Sequence, residues 1–231
     1  MTPELRIALM RARTERRPVV LATDLASGRQ LLWPGPDVPE ALAEAAREAL
    51  AADRSATIEQ EGARWFLHVH ALPLRLFLIG AVHIAQGLAP FAETLGFQTI
   101  VIDPRPSLAT PERFPGITLM PDWPDEALDR ASLDGRSAVV ALTHDPKLDD
   151  PALDRALRSD AFYIGALGSR RSHTARLERL AEFGHGPESL SRIKGPVGLP
   201  LAAVTAAEIA LSIAAEIVAV RRGSSLSWAR R

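Results

Sequence analysis

No cysteine occurs among the 231 residues. That excludes a disulfide scaffold, a thiolate metal site and a cysteine nucleophile, and it fits a reducing, cytoplasmic compartment. Lysine is nearly missing too: Lys147 and Lys194 are the two, so almost all positive charge is arginine. Neither sign of charge dominates, with 27 Lys+Arg against 28 Asp+Glu and a net charge of −1. Such a chain has no general attraction to nucleic acid or to an anionic membrane. No apolar run reaches the ~18 residues that a bilayer span needs. The first residues, Met1 to Arg13, carry charges between helically spaced apolar positions and do not read as a signal peptide. Also missing are a G-x-S-x-G elbow, an H-E-x-x-H helix, a G-x-x-x-x-G-K-[ST] loop and any internal repeat.

What is present is an ordinary globular mixture, 47% apolar and 24% charged. At about 150 residues per domain the length corresponds to roughly one and a half domains. The chain divides at Leu72-Pro73. Residues 1–72 read as a small α+β domain. Thr2-Pro3-Glu4 starts a helix. Strands follow at Pro18 to Leu25 and Gln30 to Trp33, a helix at Pro39 to Ala52, and a second hairpin at Ala56 to Gln60 and Arg64 to His70. Residues 73–231 alternate short apolar strands with helices. The strands are Leu74 to Ile79, Thr99 to Ile102, Ile117 to Met120, Ala138 to Leu142 and Ala161 to Gly165. Helices are expected at His83 to Leu95, Asp125 to Ala131, Pro151 to Arg158, from Ser169 onward, and Ala203 to Arg222. Uninterrupted apolar strands between helices predict a parallel sheet covered on both faces, a Rossmann-like doubly wound α/β fold with strand order 3-2-1-4-5.

Three loops carry candidate chemistry. The first strand ends in Gly80-Ala81-Val82-His83. Gly80 suits the tight turn of a dinucleotide fingerprint and Ala85 its third, small position, but Val82 stands where the second glycine belongs. Asp103 ends the second strand, where a carboxylate accepts from a ribose hydroxyl or simply caps the strand. The fourth strand ends in Thr143-His144-Asp145, which faces the Gly80 turn across the expected crevice. There His144 and Asp145 do acid–base or hydrogen-bonding work, or Asp145 caps the next turn and His144 is half exposed. The fifth strand leads to Gly165, Gly168 and Ser169, a capped helix start with Arg170 and Arg171 in its first turn. Free amides beside guanidinium groups suit a phosphate. Arginine there opposes the helix dipole, so stability alone does not explain it. His68 and His70 share a strand face without a third ligand. His173 and His185 read as exposed. Glu208, Ser212 and Glu216 lie on one face of the last helix and read as a polar seam. The apolar character of that helix also offers a surface for a homodimer.

Several segments together resemble the XdhC family, accessory proteins of xanthine dehydrogenase and related molybdenum hydroxylases. They are Leu-Ile-Gly-Ala-Val-His at 78–83, Gly-Phe-Gln-Thr-Ile-Val-Ile-Asp-Pro-Arg at 96–105, Glu-Arg-Phe-Pro at 112–115 and Leu-Thr-His-Asp at 142–145. Tyr-Ile-Gly-Ala-Leu-Gly-Ser-Arg-Arg at 163–171, Arg-Ile-Lys-Gly-Pro-Val-Gly-Leu at 192–199 and Ala-Glu-Ile-Ala-Leu-Ser-Ile-Ala-Ala-Glu-Ile at 207–217 complete the ordered set. The resemblance implies a Rossmann domain in a non-catalytic chaperone that binds molybdopterin, the molybdenum cofactor, and delivers it to a partner hydroxylase of the xanthine dehydrogenase type. It implies ligand-side positions at Gly80, Ala81, His83, Asp103 and Arg105. Further positions are Thr143, His144 and Asp145, then Gly165, Gly168, Ser169 and Arg170. The chain departs from the family's usual pattern at Val82 and in its short, glycine-poor, cysteine-free first domain. Two rival readings stand beside this one: an NAD-dependent oxidoreductase, and a degenerate interaction module without ligand.

Overall fold

In the computed structural model residues 1–224 are described, and two compact units are present, Met1–Leu72 and a second from Pro73 onward. The first unit runs α1 (Pro3–Thr14), β1 (Val19–Asp24), β2 (Gln30–Trp33), α2 (Glu40–Ala51), β3 (Ala56–Gln60) and β4 (Ala63–His70). Thr2 caps α1 by accepting from the Leu5 amide at 3.3 Å. The two hairpins join through β1 and β4, giving an antiparallel sheet ordered β2-β1-β4-β3. One face buries Val20, Ala22 and Leu67 against Leu42 and Ala46 of α2. Strand alternation and helical spacing therefore meet in one small core.

The second unit runs β5 (Leu74–Ile79), α3 (His83–Thr94), β6 (Phe97–Ile102), β7 (Thr118–Met120), α4 (Pro124–Ala131), β8 (Ser137–Ala141), α5 (Pro146–Leu157), β9 (Tyr163–Ala166), α6 (Arg170–Glu182), α7 (Pro187–Leu190), β10 (Ile193–Lys194) and α8 (Ala206–Arg221). Its parallel sheet is ordered β10-β9-β8-β5-β6-β7. This is the doubly wound order expected from the sequence, extended by one strand. The added strand, Ile193–Lys194, is two residues long and lies among charged and glycine residues, so no apolar run announces it. Every residue of β5 and β8 is buried. One face packs Leu76, Leu78 and Leu88 with Ala210 and Ile213 of α8. The other packs Phe77, Ile79 and Val139 with Leu128, Leu153 and Leu180 of α4, α5 and α6. Helices thus leave the sheet on opposite sides at β5 and β8, the switch point where α/β folds open toward ligands.

Two helix starts differ from expectation by three residues or more. Helix α5 starts at Pro146, not Pro151. Asp145 is its cap, accepting from the Lys147 amide at 3.0 Å, and Pro146 fills the first position. Pro151 is carried inside the helix, where Leu148 and Ala152, one turn apart, are both buried. Helix α8 starts at Ala206, not Ala203. Thr205 and Glu208 form a capping box, so Glu208 closes the helix start rather than joining a seam. The seam itself is Glu216, which accepts from the Tyr163 hydroxyl at 2.5 Å and from the Gly198 amide at 2.9 Å.

Candidate functional site

The Gly80 turn and the loop after β8 meet at the carboxyl edge of the sheet. Gly80 has φ +102°, and a Cβ built there would overlap the Thr143 methyl group. Glycine is therefore required both by conformation and by this close approach. The Thr143 methyl stands directly against the Gly80 backbone, while Val82 packs against the apolar cluster of α3 and α8. Asp103, fully buried, holds the same corner. Its carboxylate accepts from the Ala81 amide at 2.8 Å, from the Arg105 amide at 3.0 Å, and from Arg105 Nε and Nη2 at 2.8 and 2.7 Å. Burial alone would raise this carboxyl, but the Arg105 guanidinium and the two amides outweigh it and hold it below the usual aspartate value. Both oxygens are thus engaged within the fold, and the carboxylate that would accept from a ribose hydroxyl acts as a clamp between β5 and β6. The negative charge of Asp145 also reaches Arg105.

The second loop pair is built differently. Gly168 turns the chain at φ +147°, Ser169 caps α6 by accepting from the Ser172 amide at 3.1 Å, and Arg170 and Arg171 follow, both exposed. Neither arginine forms an ion pair among the described residues, and the first amides of α6 have no acceptor within the helix. Beneath this turn lies Arg176, whose side chain is 4% exposed. Its Nη2 donates to the Leu167 carbonyl at 2.9 Å and lies 3.5 Å from Asp149 Oδ2. Its Nε and Nη1 are buried without a partner among the described residues. Burial pulls the Arg176 guanidinium below its ordinary value, opposed by Asp149 and Asp150. Asp149 connects the two loops. It accepts from the Thr143 hydroxyl at 2.7 Å and amide at 3.3 Å, and from the His144 amide at 3.1 Å. Burial pushes its carboxyl up, and these bonds and the Arg176 charge only partly counter that.

The expected site residues therefore fall into two groups. Gly80, Ala81, Asp103, Arg105 and Thr143 converge in the closed corner. Gly168, Ser169 and Arg170 form the helix start. His83 is exposed in the first turn of α3, and His144 is exposed at φ +63°. Asp145 serves as the α5 cap. Gly165 lies inside β9, where a Cβ would stand 2.6 Å from a Val197 methyl and 3.0 Å from the Tyr163 hydroxyl, so its smallness serves packing. Arg176 and Asp149 were not singled out from the sequence. The available signal was spacing: Arg176 lies four residues before the buried Leu180, on the same helix face.

Two histidines expected to be exposed are not. His185 Nε2 lies 2.7 Å from Asp154 Oδ1 with its side chain 6% exposed, because the turn at Gly184 folds the chain back toward α5. His173 is half-buried against Gly195, and its Nδ1 has no partner. His68 and His70 do share a face, with ring centroids 4.1 Å apart. Among the described residues no group of three His, Cys, Asp or Glu could hold a metal, and no helix is long and apolar enough to cross a membrane.

The model of the XdhC Rossmann domain matches residues 76–217, more than half of the chain. The chain belongs to the XdhC family. It is 34% identical over 148 residues to the molybdenum cofactor insertion chaperone PaoD of Escherichia coli K12, covering 64% of this chain and 40% of PaoD. It is equally similar, 34% over 149 residues, to a probable xanthine dehydrogenase subunit of Bacillus subtilis 168, covering 64% of this chain and 43% of that one. The YqeB protein of E. coli, itself uncharacterized, is 34% identical over 159 residues, which is 69% of this chain and 29% of YqeB. The chain thus spans less than half the length of each of these relatives. A crystal structure from Bacillus halodurans, described as a xanthine dehydrogenase, shares the fold with a TM-score of 0.67 at 23% identity, over 99% of this chain and 69% of that one. In this XdhC chain two of the family's segments brace the fold through half-buried arginine contacts to backbone carbonyls. Arg113 of the Glu-Arg-Phe-Pro segment donates to the Leu108 carbonyl at 2.6 Å and to Gln86 Oε1 at 3.1 Å, pinning the loop after β6 to α3. Arg192 donates to the carbonyls of Leu157, Ser159 and Ala161.

Proposed function

We propose that this chain handles the molybdenum cofactor for a hydroxylase of the xanthine dehydrogenase type, binding the cofactor as cargo rather than catalysing a reaction on it. The observation that carries this reading is the α6 start at the carboxyl edge of the sheet: a glycine turn, a serine cap, open amides and two exposed arginines. That set matches the phosphate of molybdopterin, and helix dipole and guanidinium charge act there in the same direction. The name of the relative PaoD supports the choice of cargo. The Gly80 corner supports a dinucleotide less well, because Asp103 is engaged by Arg105 and Ala81, and Val82 replaces the glycine that lets a pyrophosphate touch the backbone. The residues placed near the phosphate are Gly168, Ser169 and Arg170, with His144 at the neighbouring rim to meet the polar pterin.

Purification from molybdenum-replete cells tests this directly. The expected result is co-elution of about one molybdopterin per chain, detected as its fluorescent oxidation product, with retention reduced several-fold in Arg170→Ala. Absence of pterin from the purified chain, with stable association to the hydroxylase, would support the ligand-free interaction module instead. Saturable NADH binding with substrate turnover would support the oxidoreductase.

A further inference from the structure

We propose that Arg176 is the buried anion-binding residue of the α6 site, receiving one phosphoryl or similar oxyanion group through Nη1 across the Gly168 turn. The identity of the whole ligand rests on the cofactor-handling reading; the anion itself does not. A guanidinium taken out of water normally has its donors bonded, since an unpaired buried donor carries its desolvation cost uncompensated. Here Nη2 is used by Leu167 and Asp149, while Nη1 and Nε have no partner among the described residues. Nη1 lies close to the Gly168 turn, where the backbone carries no side chain. A Cβ at Gly168 would lie 3.9 Å from it. The Ser172 hydroxyl is the nearest side-chain atom there, 2.5 Å from the same Cβ, and bonds within its own turn to the Ser169 carbonyl at 2.9 Å. Ser172 is exposed, so its side chain can rotate away from an arriving anion. An anion entering there meets the α6 amides on one side and a fixed cation on the other, in a region of low dielectric.

The site is also wired to the neighbouring loop. Asp149 pairs with Arg176 and at the same time accepts from the amides of Thr143 and His144. A ligand that draws the guanidinium toward Gly168 changes the partner of a carboxylate that positions the loop after β8. Occupation of the α6 start is therefore felt at Thr143 and His144, a route that no exposed arginine provides.

The test is a titration of the full-length, ¹⁵N-labelled chain with inorganic pyrophosphate at constant ionic strength, followed by NMR. The expected result is a saturable shift of the Arg176 Nε–H signal, in step with the amides of residues 169–172 and those of Thr143 and His144. Movement of the α6 amides alone, with the Arg176 signal and both loop amides still, would show that the helix end attracts the ion unaided and overturns the proposal. No shift anywhere also overturns it, whether or not the purified chain carries a pterin. Arg176→Lys is expected to weaken pyrophosphate binding at least tenfold and Arg170→Ala no more than about threefold; equal losses count against Arg176. Should Arg176→Lys fail to fold, the titration of the unaltered chain decides alone.

Discussion

Two glycine turns stand at the carboxyl edge of one sheet, and they have been finished in opposite ways. At Gly80 the buried carboxylate is fully engaged: Asp103 spans Ala81 and Arg105, and the Thr143 methyl stands where a side chain at position 80 would be. At Gly168 a buried guanidinium keeps two donors without a partner among the described residues, and Arg170 and Arg171, exposed at the helix start, form no ion pair among them. The position that fold analogy nominates for a ligand is thus the better packed of the two. The strand-edge location says where a ligand can bind; only the state of the polar groups distinguishes a site from a joint.

The widest separation between the turns should come from adding one methyl group to each. Gly80→Ala forces a positive φ on alanine and drives its Cβ into Thr143, whose hydroxyl is held by Asp149. Backbone strain of ~1–3 kcal/mol and overpacking of ~1–3 kcal/mol together predict a loss of about 2–6 kcal/mol. Gly168→Ala carries the same kind of strain, but the atom it meets belongs to an exposed serine that can rotate away. Its cost should stay near 1–3 kcal/mol. Urea denaturation of the two variants measures the difference, and equal losses would erase the contrast.

Asp103 and Asp149, both buried, sharpen the comparison through pH. Asp103 is held below its unfolded value of 3.8, so the stability it contributes is present above pH 3.8 and is lost as the pH falls below that. Asp149 is raised above the same value, so the folded chain holds the proton more tightly, and stability declines as the pH rises from 3.8 through its folded pKa. Asp103→Asn should therefore cost about 3 kcal/mol at neutral pH, with the cost shrinking in acid. Asp149→Asn should cost less, about 1–2 kcal/mol, and the cost should shrink in the other direction, as the pH rises. Denaturation midpoints collected between pH 3 and 8 give both slopes; a common sign would mean that the two carboxylates play the same role.

The sheet was legible in the sequence because its strands are buried on both faces and spell continuous apolar runs. Ile193–Lys194 escaped notice for the complementary reason, being two residues held by Ile164 and Gly165 rather than by an apolar pattern of its own. Candidate site residues were legible only as loop positions. The sequence leads one to expect the Gly80 turn and Thr143 to face each other, and the Thr143 methyl does meet Gly80, but whether the Asp103 carboxylate accepts from a ligand or from Arg105 depends on contacts that no local pattern spells out. Arg176 was invisible for a related reason. In a helix reading Arg-Arg-Ser-His-Thr-Ala-Arg-Leu-Glu-Arg, one arginine among four is buried, and only the packing of α6 over Asp149 selects it.

The smallest effect on stability belongs to Arg170, and there the sign matters more than the size. A cation in the first turn of a helix opposes the positive end of the helix dipole, and Arg170 has no carboxylate partner among the described residues. Nothing in the packing compensates for that placement. Arg170→Ala should therefore leave the chain slightly more stable, by about 0.3–0.5 kcal/mol, while its affinity for pyrophosphate falls. Restoring a cation one residue away does not test the same point, because Arg171 already supplies one. The informative measurement is the pair of signs obtained on one variant, by urea denaturation and by anion titration. A residue kept for solubility would change neither. A residue kept for stability would lower the midpoint. Loss of anion affinity with a gain in stability is the pattern of a group placed against the preference of its own helix for the sake of something bound to it.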